Sequence, residues 1–359
     1  MTDGNRHDLL VELGCEELPP LALNTLSEAF FDGVLQGLTD AGFDFDRDGS
    51  RAYQSPRRMS VLVADLAERQ PDRVIERKGP SVQAAFDDEG KPTRAALGFA
   101  ASVGREVEDL DRLTTDKGEW LQCTLEEPGK PIDDLLYPIV QGALDRLPVP
   151  KPMRWSDHEF SFVRPVHWLV VLHGDRVIPG MLYGSEAGRL TRGHRIHAPG
   201  DHELPDSKDY VDRLAALKVL VDPEQRRQRL RNGVEAVGQA DGGSARITPS
   251  LLDEVNNIVE WPVPVGCGFD EEFLTVPQEA LIASMESHQK FFPVLDAEGQ
   301  LTSRFVVAAN IESKDESAMA EGYERVIRPR LADARFFWEQ DLKQSREEWL
   351  TALDQVVFL

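Results

Sequence analysis

Apolar residues change their spacing along the chain, and each change marks an element. Leu9 to Leu13 is a short, mostly apolar run that reads as a strand and runs into the turn-rich stretch Gly14 to Pro20. From Leu23 to Leu38 apolar positions return every three or four residues, which predicts an amphipathic helix with Gly42 just past its end. Arg58 to Leu66 alternates and is β-branched, so it reads as a strand. Glu68 to Ser81 is charged and carries proline, and reads as a connection into a second unit. That unit holds a helix opening at Pro92 and a hairpin, Leu110 to Thr115 and Glu119 to Leu125, turning at Asp116-Lys117-Gly118. A helix from Ile132 to Leu147 closes it, and Pro148 to Pro152 reads as a linker.

The second half alternates helical and strand signals. Phe162 to Tyr183 reads as two strands joined at Gly174-Asp175, and the polar run from Gly184 to Pro199 as a loop. Tyr210 to Val237 holds one or two helices. Thr248 is placed to cap a short helix with Pro249 at its first position, and Trp261-Pro262 to end it. Pro277 opens another helix, on which Leu281, Met285 and His288 share a stripe while Lys290 points away. His288 is therefore expected to be buried and structural. With Lys290 and Trp261 it marks a fixed structural site or interface. Pro293 to Asn310 reads as a hairpin, and from Tyr323 onward the pattern is helical. Hairpins and helices without regular β-α-β alternation predict an α+β fold: several domains, antiparallel sheets with packed helices, all-helical toward the C-terminus.

A chain of 359 residues is long enough for roughly two or three domains. Its 41% hydrophobic and 29% charged residues are those of a soluble globular protein. No stretch approaches the roughly 20 apolar residues of a bilayer span, and the polar N-terminus lacks a signal-like apolar region, so no membrane and a cytoplasmic location are expected. Cys15, Cys123 and Cys267 are far apart and suggest neither a metal pair nor a disulfide framework. The net charge of −23 argues against general attraction to nucleic acid, although binding depends on local charge.

Local basic groups do occur. Arg189, Arg192, His194, Arg195 and His197 crowd the run before Pro199, suited either to phosphates or to neighbouring carboxylates. His194 and His197, with His202 nearby, resemble part of a zinc set. No cysteine or carboxylate completes the three or four ligands needed, so no metal site is expected. Arg57 and Arg58 at a strand entrance, and Lys151 and Arg154 before Trp155, are RNA-contact candidates with Trp155 as a stacking surface. Ordinary solvated charges and a core tryptophan are the competing explanation. Arg325, Arg328 and Arg330 are further RNA-contact candidates and form, with Arg335, a basic cluster beside Phe336, Phe337 and Trp338, aromatics that suit helix packing better than base stacking. No phosphate-binding glycine loop and no nucleophile–base set is evident, so no catalytic residue is assigned. Glu12, Glu16 and Glu17 read as capping or solvated carboxylates.

Several blocks in order carry a resemblance. They are Glu12 to Pro20, Ser55-Pro56-Arg57-Arg58, Lys78-Gly79-Pro80, Met153-Arg154-Trp155, Phe162 to Trp168, Thr191 to Arg195, Leu251 to Trp261, His288 to Phe292 and Arg330 to Trp338. Together they resemble the β subunit of bacterial tetrameric glycyl-tRNA synthetase. Cys15, Ser156, Asn256 and Tyr323 stand where that family usually has threonine, glycine, threonine and asparagine, and Pro329 interrupts a run that is normally helical. The resemblance implies a β subunit that binds tRNA(Gly) and assembles with an α subunit as α2β2. ATP and Mg would be used on the α subunit, with no cofactor in this chain. It divides the chain into 1–67 with 153–200, an inserted unit at 68–152, a unit at 201–322 similar to the editing-type module of the phenylalanyl-tRNA synthetase β subunit, and 323–359 as the start of a helical domain. The apolar end Val356 to Leu359 suggests truncation. Two rival readings are a freestanding aminoacyl-tRNA deacylase using His194, His197 and His288, and a non-catalytic assembly scaffold.

Overall fold

The computed structural model describes residues 6–116, 118–149, 151–354 and 356. Strand β1 (Arg6–Cys15) is internal to a seven-stranded sheet, which explains why its middle is apolar on both faces. It extends past the expected end at Leu13, so Gly14 lies within the strand rather than in a turn. Helix α1 (Pro20–Ala41) follows, ended by Gly42 at φ 78°, a left-handed conformation that glycine adopts without strain. Strands β2 (Asp46–Ser55) and β3 (Arg58–Ala67) form a hairpin in which Ser55 opposes Arg58, leaving Pro56-Arg57 as the turn. Leu23, Leu26, Phe30, Val34 and Leu38 of α1 bury one face of this sheet with Leu9, Val11, Leu13, Val61 and Val63.

The stretch expected to be a connection contains a strand, β4 (Arg73–Ser81). Its side chains are mostly exposed, so backbone pairing holds it and no apolar alternation announces it. The short helix α2 (Val82–Ala85) and α3 (Arg94–Ser102) precede β5 (Asp111–Thr115) and β6 (Gly118–Glu127), and the sheet order is β4-β6-β5. Lys117, in the expected turn of this hairpin, lies outside the described residues, as does Pro150 of the expected linker. Helix α4 (Ile132–Asp145) places Ile132, Leu136, Val140 and Ala143 in the same core as α1. By packing it therefore belongs to the first sheet, not to the insertion.

Strands β7 (Val166–His173), β8 (Arg176–Val177), β9 (Met181–Leu182) and β10 (Ser185–Gly188) complete the first sheet, whose main order is β2-β3-β1-β7-β10-β9 with β8 on β7. Strands β11 (Leu190–Arg192) and β12 (Asp201–Glu203) pair with each other. The run 184–199, expected to be one loop, thus contains two strands, and its longest stretch outside them is 193–199. Short polar strands paired through backbone carry little apolar signal. Helix α5 (Tyr210–Ala216) covers the sheet's other face, where Tyr210, Leu214, Val219 and Val221 meet Leu10, Trp168, Val170 and Leu172.

Helix α6 (Pro223–Ala240), β13 (Ser244–Ala245), α7 (Pro249–Asn256), β14 (Val263–Gly268) and α8 (Gln278–Ala283) begin a second α+β body. Thr248 caps α7 as expected, its Oγ1 accepting the Leu251 N–H, but α7 ends at Asn256, before Trp261-Pro262 is reached. After α8 the backbone widens into a π-helical turn, Ser284–Gln289, and β15 (Phe292–Leu295) and β16 (Leu301–Ala309) form the expected hairpin. The sheet order is β13-β15-β16-β14. One side packs Leu230, Val234, Leu252 and Val255, and the other packs Phe305, Met285, Ile327 and Leu331. Helix α9 (Glu316–Asp341) runs through Pro329 without breaking, followed by α10 (Arg346–Leu353). Phe336 and Phe337, expected to pack, are exposed, while Trp338 does pack against the second body. Val357, Phe358 and Leu359 lie outside the described residues. Among the described residues no helix is long and apolar enough to cross a membrane.

Candidate functional site

The period of two along β1, β3 and β7 puts Glu12, Gly14, Arg58 and Trp168 at one end of one sheet face. Gly14 opposes both Arg58 and Trp168, and Glu12 opposes Ser60 and Val170. Arg58 is fully buried. Its Nη1 donates to Thr191 Oγ1 at 3.1 Å and lies 3.3 Å from Glu12 Oε1. Its Nη2 donates to the Arg192 carbonyl at 2.7 Å and lies 3.5 Å from Glu260 Oε1. The guanidinium also stands 5.3 Å from the Trp168 ring, whose N–H donates to Glu12. Burial disfavours the Arg58 charge, but Glu12 and Glu260 more than compensate and raise its pKa.

Glu260 reaches this cluster from the second body. It accepts from Ser55 Oγ at 2.9 Å and from Arg57 Nη2 at 3.0 Å. Burial alone would raise its carboxyl, yet Arg58 and Arg57 hold it below its ordinary value. Asn310 Oδ1 fixes the Glu260 loop by accepting the N–H groups of Glu260 and Trp261. Arg226 of α6 reinforces the seam, donating to the carbonyls of Asn256, Gln54 and Leu220, and burial pulls its pKa down to about 10. The two bodies are thus joined by buried, directional polar bonds.

Over this cluster lies an open cleft of about 550 Å³, lined by Glu16, Arg57, His167, Trp168, Arg192, Arg195 and Asp201 among others. Its charges are paired across its own walls. Glu16 lies 3.0 Å from His167 and 3.3 Å from Arg195, which also meets Glu17 at 3.1 Å. Arg192 meets Asp201 at 3.1 Å and covers Trp168 at 5.1 Å. Partial burial would raise the Glu16 carboxyl, but His167 and Arg195 hold it lower.

The structure brings only Arg57, Arg192 and Arg195 of the RNA-contact candidates into this cleft. Arg58 is a correction: it is sealed inside the protein and offers no surface to a phosphate. Arg189 donates to the carbonyls of Pro205 and Asp175 and stands near Glu203. Carboxylates reach this basic run from Glu16, Glu17, Asp201 and Glu203, two of which lie far away in sequence. Lys151 and Arg154 are exposed and form no ion pair among the described residues. Trp155 is half-buried against Phe160 and Tyr183, so packing already occupies its rings. Next to it Ser156 has φ 53°, a conformation that suits the family's usual glycine. Arg325 and Arg328 pair with Glu321 and Asp270, and Arg330 is exposed; none of the three lines the cleft.

The histidines serve the loop itself. His194 Nδ1 accepts the N–H groups of Ile196 and His197, and His197 Nε2 accepts that of Glu312. Trp261 is gripped by Arg229 at 3.7 Å and Lys218 at 4.5 Å, and donates to Glu312. Lys290 caps the π-helical turn at φ 61° and meets Glu254 at 2.8 Å. His288 is a second correction. It is exposed, because the wider π-helical turn rotates it off the stripe that Leu281 and Met285 bury. His288→Ala should therefore change stability by no more than about 0.5 kcal/mol, measured as a nearly unmoved denaturation midpoint.

Sequence reasoning missed Glu260 and the roles of Trp168 and Asp201. One signal was present for Glu12: a carboxylate inside Leu9 to Leu13 has to find a buried partner.

A family model described as glycyl-tRNA synthetase beta subunit matches residues 9–359. The chain belongs to this family. It is 51% identical over 350 residues to the glycine–tRNA ligase beta subunit of Chromohalobacter salexigens, covering 98% of this chain and 50% of that protein. The corresponding subunit of Xanthomonas campestris is 49% identical over 350 residues, with the same coverage. That of Stutzerimonas stutzeri is 47% identical over 351 residues, again 98% of this chain and 50% of the relative. The chain spans about half the length of the curated relatives it matches. The motif blocks from Glu12 to Trp338 and the family match thus agree over nearly the whole chain.

Proposed function

We propose that this chain is the N-terminal portion of a β subunit that supports ATP-dependent attachment of glycine to tRNA(Gly). On this reading it binds tRNA through local basic surfaces and assembles with a catalytic α subunit as α2β2. The observation that carries the reading is identity near 50% to glycine–tRNA ligase beta subunits across 98% of the chain. ATP and Mg act on the α subunit in this scheme. The sequence shows no glycine-rich cradle for their phosphates, and its paired histidines turn ring nitrogens to backbone N–H groups, His194 to those of Ile196 and His197 and His197 to that of Glu312. Its own contribution is positional. The buried Glu260–Arg57–Arg58 seam fixes two bodies relative to each other, so that basic groups on both can meet one large ligand together.

The test is reconstitution. The purified chain alone should show no glycine-dependent pyrophosphate exchange. A cognate α subunit with the full-length β subunit should charge tRNA(Gly), and the α subunit with this portion alone should charge it poorly. Exchange by rigorously purified chain would overturn the division of labour between subunits.

A further inference from the structure

We propose that the cleft between β1, β7 and the 193–201 loop is an anion site guarded by its own carboxylates, and that an RNA phosphate enters it by displacing Glu16 and Asp201. The proposal rests on the tRNA-binding reading and names the place and manner of one contact.

Arg57 supplies the built part of the site. Its side chain is only 9% exposed, and Nη2 is held by Glu260 and the Gly193 carbonyl. Its Nε and Nη1 meet no hydrogen-bond partner among the described residues, yet neither is among the polar atoms sealed from solvent without one. Arg57 lines the cleft, and on this proposal these N–H groups are the donors it offers there. An arginine pinned at one nitrogen and free at two others is a preorganised donor for a phosphate or carboxylate.

Arg192, Arg195 and His167 surround it, each held by a carboxylate that is itself about half exposed: Asp201 at 55%, Glu16 at 44% and Glu17 at 57%. Exposed pairs of this kind are weak, because water screens them and two side chains must be ordered to form them. A phosphate brings two or more acceptor oxygens to the same donors. It exchanges one anion for another without leaving a cation unpaired. Trp168 is not available for stacking, since Arg58 and Arg192 stand over its ring. Recognition here is therefore of the anionic group, not of a base. The carboxylates also keep a protein of net charge −23 from gathering stray anions, because the cleft is neutralised until a ligand held elsewhere presents its phosphate.

The carboxylates are thus competitors of the ligand, and removing them should tighten binding. The experiment uses the assembled enzyme with Glu16→Gln, Asp201→Asn or both, and measures equilibrium binding of tRNA(Gly) and, separately, of inorganic phosphate. Each substitution should raise tRNA affinity about two- to fivefold at low salt, the range set by exposed ion pairs, and the gain should shrink as salt rises. Arg195→Gln should weaken tRNA binding. Glu235→Gln removes a carboxylate of similar exposure paired with Arg231 on α6, outside the cleft, and controls for the general loss of negative charge. Equal tightening by Glu235→Gln, or no tightening by either cleft variant while the wild type binds tRNA, overturns the proposal and leaves the tRNA reading standing. If the wild type binds no tRNA, that reading fails, and the phosphate arm decides. Tighter phosphate binding in the double variant then supports an anion site that serves a free phosphate. Unchanged phosphate binding overturns the site altogether.

Discussion

Arg58→Ala should lower folding stability by about 3–5 kcal/mol, the range for breaking a buried ion pair from one side. The loss does not measure the attraction between Arg58 and its partners. It reflects what is left behind. Glu12 and Glu260 are both essentially without solvent, and Arg58 touches both. Without it Glu260 retains Arg57, but Glu12 retains only neutral donors, Trp168 and Thr191. A carboxylate in that position must stay charged without a cation or take up a proton. The Arg192 carbonyl loses its donor as well. The cost therefore exceeds what the charge pairing contributed, and replacing both Glu12 and Arg58 by apolar residues of similar volume, with Glu260 left on Arg57, should cost less than removing Arg58 alone. Glu12→Met with Arg58→Met makes that comparison. Denaturant midpoints of the single and double variants decide it. A single variant as stable as the wild type would mean that the cluster is not closed to water.

The same cluster shows what could be read in the sequence and what could not. Elements with a marked apolar run or period were legible, namely β1, α1, β3 and the β15–β16 hairpin, and so was the Thr248 cap. β4 and β10 were not, because their pairing is through backbone and their side chains carry no apolar period. The cation candidates were recognisable as cations, but their partners were not. Arg195 meets Glu16 and Glu17 across about 180 positions of chain, and Arg57 meets Glu260 across about 200. Sequence spacing carries no information about such pairs, since the fold alone brings them together. Arg57 and Arg58 are adjacent in sequence and differ in fate because Arg57 sits in the β2–β3 turn, at the lining of the cleft, whereas Arg58 opens β3 and is buried against Glu12 and Glu260. His288 failed for a local reason. An α-helical period was assumed through a segment whose backbone is π-helical.

Gly14→Ala should cost about 3 kcal/mol, the upper part of the range for forcing volume into a well-packed site. A methyl carbon on Gly14 would lie 1.8 Å from Cε2 and 2.0 Å from Cδ2 of Trp168, inside the indole ring itself. The strand cannot move aside, because β1 is hydrogen-bonded to β3 on one edge and β7 on the other. The indole cannot easily move either. Its N–H is bound to Glu12, and Arg58 and Arg192 stand over its ring. Glycine is needed here for the close approach of a ring to the backbone, and glycine's wider choice of backbone conformation has no part in it. Any relief moves Trp168 and with it Arg192 over the cleft, so anion binding should fall together with stability. Trp168→Leu should also destabilise, by leaving space and by removing one of the three donors to Glu12 Oε1. The two substitutions relieve each other, however, since the added methyl occupies volume that the indole vacates. Their combined loss should be smaller than the sum by about 0.5–3 kcal/mol, as for residues in direct contact. Urea midpoints for the two single variants and the double variant give that coupling directly. Strict additivity would mean that Gly14 and Trp168 do not touch, and the floor of the cleft would have to be built in another way.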